Sequence, residues 1–155
     1  MKMRPFQNRD REACIEIFRG NVPTFFVEAE LPEFVKYLDD DSRGPFFVWE
    51  QDAAVIACGG FWIEENVKRA HLCWGMVARA HQGRGVGRLL LRGRIRQICD
   101  LGAASTIVIH TSQRSRGFFE KEGFKVRSYV ENGYGAGLDR FDLMLNLPTP
   151  EAPAD

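Results

Sequence analysis

Apolar residues recur along this chain at two different intervals, and the changes of interval mark its elements. Ala13, Cys14, Ile17 and Phe18 fall at helical spacing between Arg9 and Arg19, with Asp10 placed as a cap and Gly20 as a stop. After Pro23, the positions of Phe34, Val35 and Leu38 predict a second short helix from Pro32 to Leu38. From Pro45 the period shortens to that of strands. Phe46–Glu50 and Ala53–Ile63 read as a hairpin about a turn at Gln51-Asp52, and Arg69–Val77 reads as a third long strand after a turn near Glu65-Asn66. Gly59-Gly60 inside the second of these strands predicts a bulge or a close backbone approach. The helical period then returns in Val86, Leu89, Leu90, Ile95, Ile98 and Leu101, closed by Gly102. Thr106–Ile109 is an unbroken β-branched run, the pattern of a strand buried on both faces. A short helix over Ser115–Lys121, stopped by Gly123, precedes a hairpin of Phe124–Val130 and Arg140–Leu147 about a glycine-rich turn.

This order predicts one α+β domain over residues 1–147, with a mixed sheet and a single parallel crossing in the strand–loop–helix–strand unit of residues 69–109. The proline-rich tail from 148 to 155 is expected to be disordered. The 155 residues suit one core, and 45% hydrophobic with 27% charged residues is an ordinary globular composition. Cys14, Cys58, Cys73 and Cys99 form no CxxC pair, so neither a metal site nor a redox motif is indicated. Met1–Asp10 lacks an apolar leader, and no run approaches the length of a membrane span, so a cytoplasmic protein without a membrane partner is expected.

Charge changes the picture only locally. The formal net charge is zero, which argues against holding nucleic acid by bulk electrostatics. Between Glu65 and Asp100, however, there is no acid, while Lys68, Arg69, Arg79, Arg84, Arg88, Arg92, Arg94 and Arg96 all fall there. A small anionic ligand explains one basic segment better than a polyanion does.

Gln82-Gly83-Arg84-Gly85-Val86-Gly87-Arg88 lies in that segment, directly between a predicted strand and a predicted helix. A helix N-terminus leaves its first amides unpaired at the positive end of the dipole, and glycines let the backbone approach a pyrophosphate. The spacing is GxGxG, not the GxGxxG of dinucleotide folds, and a glycine-rich connector without a ligand is the plain alternative.

The run from Val77 through Gln82-Gly83-Arg84-Gly85-Val86-Gly87-Arg88 to Leu90 resembles the acetyl-CoA loop, Q/R-x-x-G-x-G/A, of the GNAT superfamily of N-acetyltransferases. Phe118-Phe119-Glu120-Lys121-Glu122-Gly123-Phe124 resembles the FYxxxGF segment of the same family, and the order of elements is similar over nearly the whole chain. The resemblance implies a three-layer fold: a mostly antiparallel sheet of six or seven strands, about four flanking helices, and one parallel pair splayed open. It implies acetyl-CoA as co-substrate, its pantetheine held by the main chain of Met76 and Val77 and its pyrophosphate by Gln82, Gly83, Arg84, Gly85, Val86, Gly87 and Arg88. Ser112 and Phe119 would complete the coenzyme site. Ser112 and Ser115 stand where the family often has Asn and Ala. Phe119 stands where the family commonly has the Tyr that protonates the leaving thiolate, so Tyr134 is the substitute acid to consider, with Tyr129 behind it. His71 occupies the position of the family's base on the strand before the loop, and strict alternation would put it on one face with Cys73, Gly75 and Val77. A structural histidine fits the residue equally well, and His110 is a second candidate. Phe25, Phe26, Glu28 and Glu30, in the segment after the first helix, would give the acceptor an aromatic and acidic wall. Trp49, Trp62 and Trp74 read as core residues.

The function these features imply is transfer of acetyl from acetyl-CoA to a primary amine of a small molecule. Two further readings stay open: acetylation of a protein N-terminus or lysine, and a non-catalytic acyl-CoA sensor. The resemblance also makes a homodimer an expectation.

Overall fold

The computed structural model of the chain describes residues 1–148. The expected disordered tail therefore lies, apart from Pro148, outside the described residues. Seven strands form one sheet in the order β1-β2-β3-β4-β5-β7-β6. They are β1 (Lys2–Pro5), β2 (Phe46–Gln51), β3 (Ala54–Glu64), β4 (Arg69–Val77), β5 (Thr106–Thr111), β6 (Lys125–Gly135) and β7 (Leu138–Asn146). Four α-helices flank it: α1 (Arg11–Gly20), α2 (Leu31–Asp39), α3 (Val86–Leu101) and α4 (Gln113–Lys121). No helix among the described residues is long and apolar enough to cross a membrane.

The helices lie in two layers because each presents one apolar stripe. Cys14, Ile17 and Phe18 of α1 and Phe34 and Leu38 of α2 pack with Val48, Cys58 and Met76 on one face of the sheet. Leu91 and Ile98 of α3 and Phe119 of α4 pack with Leu72, Ile109 and Leu143 on the other.

Every strand pair is antiparallel except β4 with β5. That parallel pair is joined only from Arg69↔Thr106 to His71↔Val108. Beyond it both strands continue without pairing to each other, so the sheet opens into a V with its closed end at His71.

The structure departs from the sequence pattern in two places, and the first lies at this opening. The first is the face that each residue of β4 presents. Strict alternation fails because the register with β3 slips between Cys58 and Gly60, and Trp74 adopts a left-handed backbone (φ 50°). Two residues, Trp74 and Gly75, therefore stand against one, Gly59, which is a bulge. Leu72 belongs to the α3 side, whereas Trp74 and Met76 belong to the α1–α2 side. His71 and Val77 consequently do not share a face. A left-handed non-glycine residue costs about 1–3 kcal/mol. The Trp74 ring meets Phe34 at 5.0 Å and Phe26 at 6.0 Å, contacts worth about 0.5–1.5 kcal/mol each beyond burial. The aromatic cluster is large enough to hold the strain.

The second departure is β1, an edge strand in a stretch whose polar composition gave no strand signal. Its anchor is electrostatic: Arg4 donates to both oxygens of buried Asp10, at 2.8 and 2.9 Å, and to Glu50 of β2. Smaller differences follow the same lines. β6 runs on to Gly135 through an irregular register after Val130, so the glycine-rich turn shrinks to the two residues before Leu138. Trp62 is 46% exposed and is not a core residue.

Candidate functional site

A cleft of about 1150 Å³ occupies the V between β4 and β5 and continues to the segment after α1. The loop expected to hold phosphate lies at its open end. Gly83 and Gly85 take left-handed conformations (φ 73° and 81°), and a Cβ on either would meet nothing within 4 Å. These glycines are therefore required by the backbone, not by crowding. The first turn of α3 begins at Val86, with Leu89 the first amide to bond back, to Gly85 at 3.2 Å. The amides of Val86, Gly87 and Arg88 are left without partners in the helix and point to the cleft end.

The side chains of this loop do less than the sequence implied. Val86 is buried under β3, packed with Ile56 and Leu90, and contributes only backbone. Arg84 is exposed and is absent from the cleft wall. Arg88 lines the cleft but donates to Glu122 at 2.9 Å, as does Arg92 at 3.2 Å. Two of the eight basic residues of the segment thus share one carboxylate within the fold. Gln82 turns inward, donating to Asn21 at 2.9 Å and to the carbonyl of Val77 at 3.0 Å. It fastens the loop to β4 and α1.

Val77 is where the main chain faces the gap. The amide of Ala78 bonds Ile56 across β3 at 2.8 Å, which makes Ala78 a hydrogen-bonded rung and the Val77–Ala57 pair a non-bonded one. The N–H and C=O of Val77 consequently point away from β3, toward the side that β5 has left. The carbonyl is taken by Asn21 and Gln82, both at 3.0 Å, and the N–H remains for a ligand. Met76, one residue earlier, directs its main chain to β3 and its side chain into the α1–α2 core. Met76 also borders the cleft, but of the two residues expected to serve the pantetheine it is Val77 whose N–H faces the gap.

Ser112 is buried, lines the cleft and caps α4 by accepting from the amide of Arg114 at 3.3 Å. Phe119 is buried in the wall of the cleft and has no proton to give. Tyr134 also lines it, but burial first and the nearby Glu30 carboxylate second push its phenol well above the ordinary tyrosine value. The phenol therefore keeps its proton at neutral pH.

The histidines divide by position. His71 does not line the cleft. Its ring stacks on Trp62 at 4.0 Å and its Nε2 meets Glu64 at 2.7 Å, so both a face and a nitrogen are occupied. His110, at the end of β5, does line the cleft. Its Nδ1 pairs with Asp142 of β7, which also accepts from Ser128 and Arg140. That arrangement leaves Nε2 free. Burial raises the Asp142 carboxyl, but the bonds from Arg140, Ser128 and His110 outweigh it and hold it at about 2.

At the acceptor mouth, Phe25 and Phe26 line the cleft as expected. Glu28 is exposed and does not, whereas Glu30 and Glu33 do. Glu30 accepts from the amide of Val27 at 2.9 Å, and burial raises its carboxyl against that bond. Of the two glutamates expected there, Glu30 faces the acceptor mouth, and which one turns inward depends on where α2 begins.

The sequence profile of the Acetyltransferase (GNAT) family matches residues 12–124, from α1 through the end of α4. The chain belongs to this family. It is an acetyl-CoA-dependent N-acetyltransferase, with acetyl-CoA as co-substrate. Among curated proteins none matches the sequence. Several solved structures share the fold. One from Salmonella typhimurium, with its cofactor acetyl-CoA, is 20% identical, with 99% of this chain and 98% of that one covered and a TM-score of 0.75. The ribosomal-protein-alanine N-acetyltransferase of Brucella melitensis is 19% identical, covering 95% and 100% at a TM-score of 0.76. The aminoglycoside 6'-N-acetyltransferase of Enterococcus faecium is 14% identical, covering 97% and 100% at 0.76. The last two are named for different acceptors, a ribosomal protein and an aminoglycoside, so the shared fold does not carry one.

Proposed function

We propose that this GNAT enzyme acetylates a primary amine of a small molecule, with His110 as the base. The carrying observation is that His110 is the histidine in the cleft wall, its Nδ1 tied to Asp142 and its Nε2 free. A carboxylate fixes the ring tautomer and supports the imidazolium that forms when Nε2 takes a proton. The amine nitrogen attacks the thioester carbon, a C–N bond forms, the C–S bond breaks, and coenzyme A departs as thiolate. The proton lost by the amine goes to His110. The Val77 N–H is the donor suited to the developing oxyanion, a role commonly worth about 2.7–4 kcal/mol. With phenylalanine at 119, the thiolate takes its proton from water.

The small-molecule reading rests on the mouth. Phe25, Phe26 and Tyr134 enclose it and Glu30 and Glu33 give it negative charge, which suits a compact cationic amine. Steady-state kinetics with a panel of polyamines, aminoglycosides and peptides test both parts. His110→Gln is expected to lower kcat by about 100-fold or more with little change in the KM for acetyl-CoA, while His71→Gln leaves kcat within a few fold. Equal losses in the two variants would remove His110 from this role, and turnover confined to peptides would overturn the acceptor class.

A further inference from the structure

Arg94 is a cation in an unusual place. It projects from the middle of α3 to the bulge of β4 and is only 2% exposed. The bulge glycines make room for it: a methyl on Gly75 would come within 2.7 Å of Nη2, and one on Gly59 within 3.1 Å of Nη1 and Cζ. Its single bond is from Nη1 to the carbonyl of Gly60 at 3.2 Å, and Nε has no partner. Among the described residues no carboxylate pairs with it. The polar groups around it are Cys73, Cys58 and Tyr37, and burial pushes each of these upward, so all three are neutral. Burial lowers the guanidinium only to about 10, which leaves it charged at neutral pH. A buried charge without a counter-charge is costly, and an anionic partner would offset that cost.

The cleft supplies the place for one. Arg94 lines it beside Leu72, Gly75, Ile109 and Phe119, toward the closed end of the V. Gly75 lies two residues below Val77, or about 7 Å by strand rise. Coenzyme entering from the phosphate loop, with its thioester at Val77, would send its acyl group down this gap. A methyl group would leave the guanidinium unmet. We infer that the closed end of the gap is a carboxylate subsite, in which Arg94 holds the terminal carboxylate of a short dicarboxylic acyl group. The enzyme thus takes a dicarboxylic acyl-CoA as donor beside acetyl-CoA. The inference rests on the proposed coenzyme placement. The chemistry is otherwise unchanged: C–N forms, C–S breaks, the amine proton goes to His110, and Arg94 neither gives nor takes a proton.

Calorimetric titration with acetyl-CoA and with succinyl-CoA tests it. The wild-type protein is expected to bind succinyl-CoA about tenfold or more tightly than acetyl-CoA. Arg94→Met, which fills the volume without charge, should keep acetyl-CoA binding and lose roughly 30-fold in succinyl-CoA affinity. Arg94→Lys, which retains a cation there, should keep part of the preference. Equal affinity of the wild-type protein for the two thioesters overturns the subsite alone, whether or not the variants fold. Persistence of the preference in Arg94→Met, or an equal loss for both thioesters, also overturns it. Binding of neither thioester overturns the coenzyme placement and the subsite together.

Discussion

Asp142 shows how much one carboxylate organises here. It joins His110 of β5, Ser128 of β6 and Arg140 of β7, and its pKa of about 2 follows from those three bonds outweighing burial. The folded value lies below the unfolded one of about 3.9. The stabilisation is therefore fully present above the unfolded value and is lost as pH falls through about 2. Asp142→Asn removes this pH-linked term, so its melting temperature should change less than that of the wild-type protein as pH falls from about 5 to 2, measured by circular dichroism. Its kcat should fall with that of His110→Gln, because the amide no longer supports an imidazolium. If the two melting curves stay parallel on acidification, Asp142 is not a linked group. None of this was legible in the chain order. His110 could be noticed as a strand-end histidine, but Asp142 lies far from it in sequence, and only the β5–β7 pairing, with His110 opposite Asp142, brings them together.

At the scale of elements, the strand–loop–helix unit was the most legible part. Arg69–Val77 was read with its observed bounds, and the glycine spacing foretold a loop ending at a helix start, because local composition alone fixes both. Gly59-Gly60 marked the place of the bulge, and what escaped was that the extra residue lies in β4, where Trp74 takes a left-handed conformation within a tertiary aromatic cluster. Alternation had therefore put His71 on the face of Val77. The loop makes a sharp prediction in turn. At Gly85, φ is 81° and no atom lies within 4 Å of a built Cβ. Gly85→Val should cost about 1–2 kcal/mol from backbone strain alone. Any relaxation of that strain turns the amides of Val86, Gly87 and Arg88 off the pyrophosphate. Acetyl-CoA affinity is then expected to drop by about tenfold or more while the α3 helix signal persists. Unchanged affinity in calorimetry would mean that these amides do not hold the coenzyme.

The whole molecule is a sheet with a seam. From β1 to β4 every pairing is antiparallel, as it is from β5 to β6, and the two halves meet through only the His71 end of the β4–β5 pair. The element order foretold a single parallel crossing, but not how few rungs would close it. Leu72, Ile109 and Phe119, which line the gap, come together in the core from three separate elements, so their packing is not readable from any one of them. A ligand whose phosphates sit on α3 and whose arm lies between β4 and β5 touches both halves, and it binds the folded chain alone. Such a ligand stabilises by about 2.7 kcal/mol at a hundred times its Kd, which in a domain of this size is a rise of roughly 5–10 °C in Tm. The rise should be matched by slower amide exchange at Val77 and in residues 86–88, whose N–H groups would become bonded. Exchange in α1 should slow only as far as global stability requires. Protection spread evenly over the chain, with none in excess at Val77, would place the coenzyme elsewhere than in the seam.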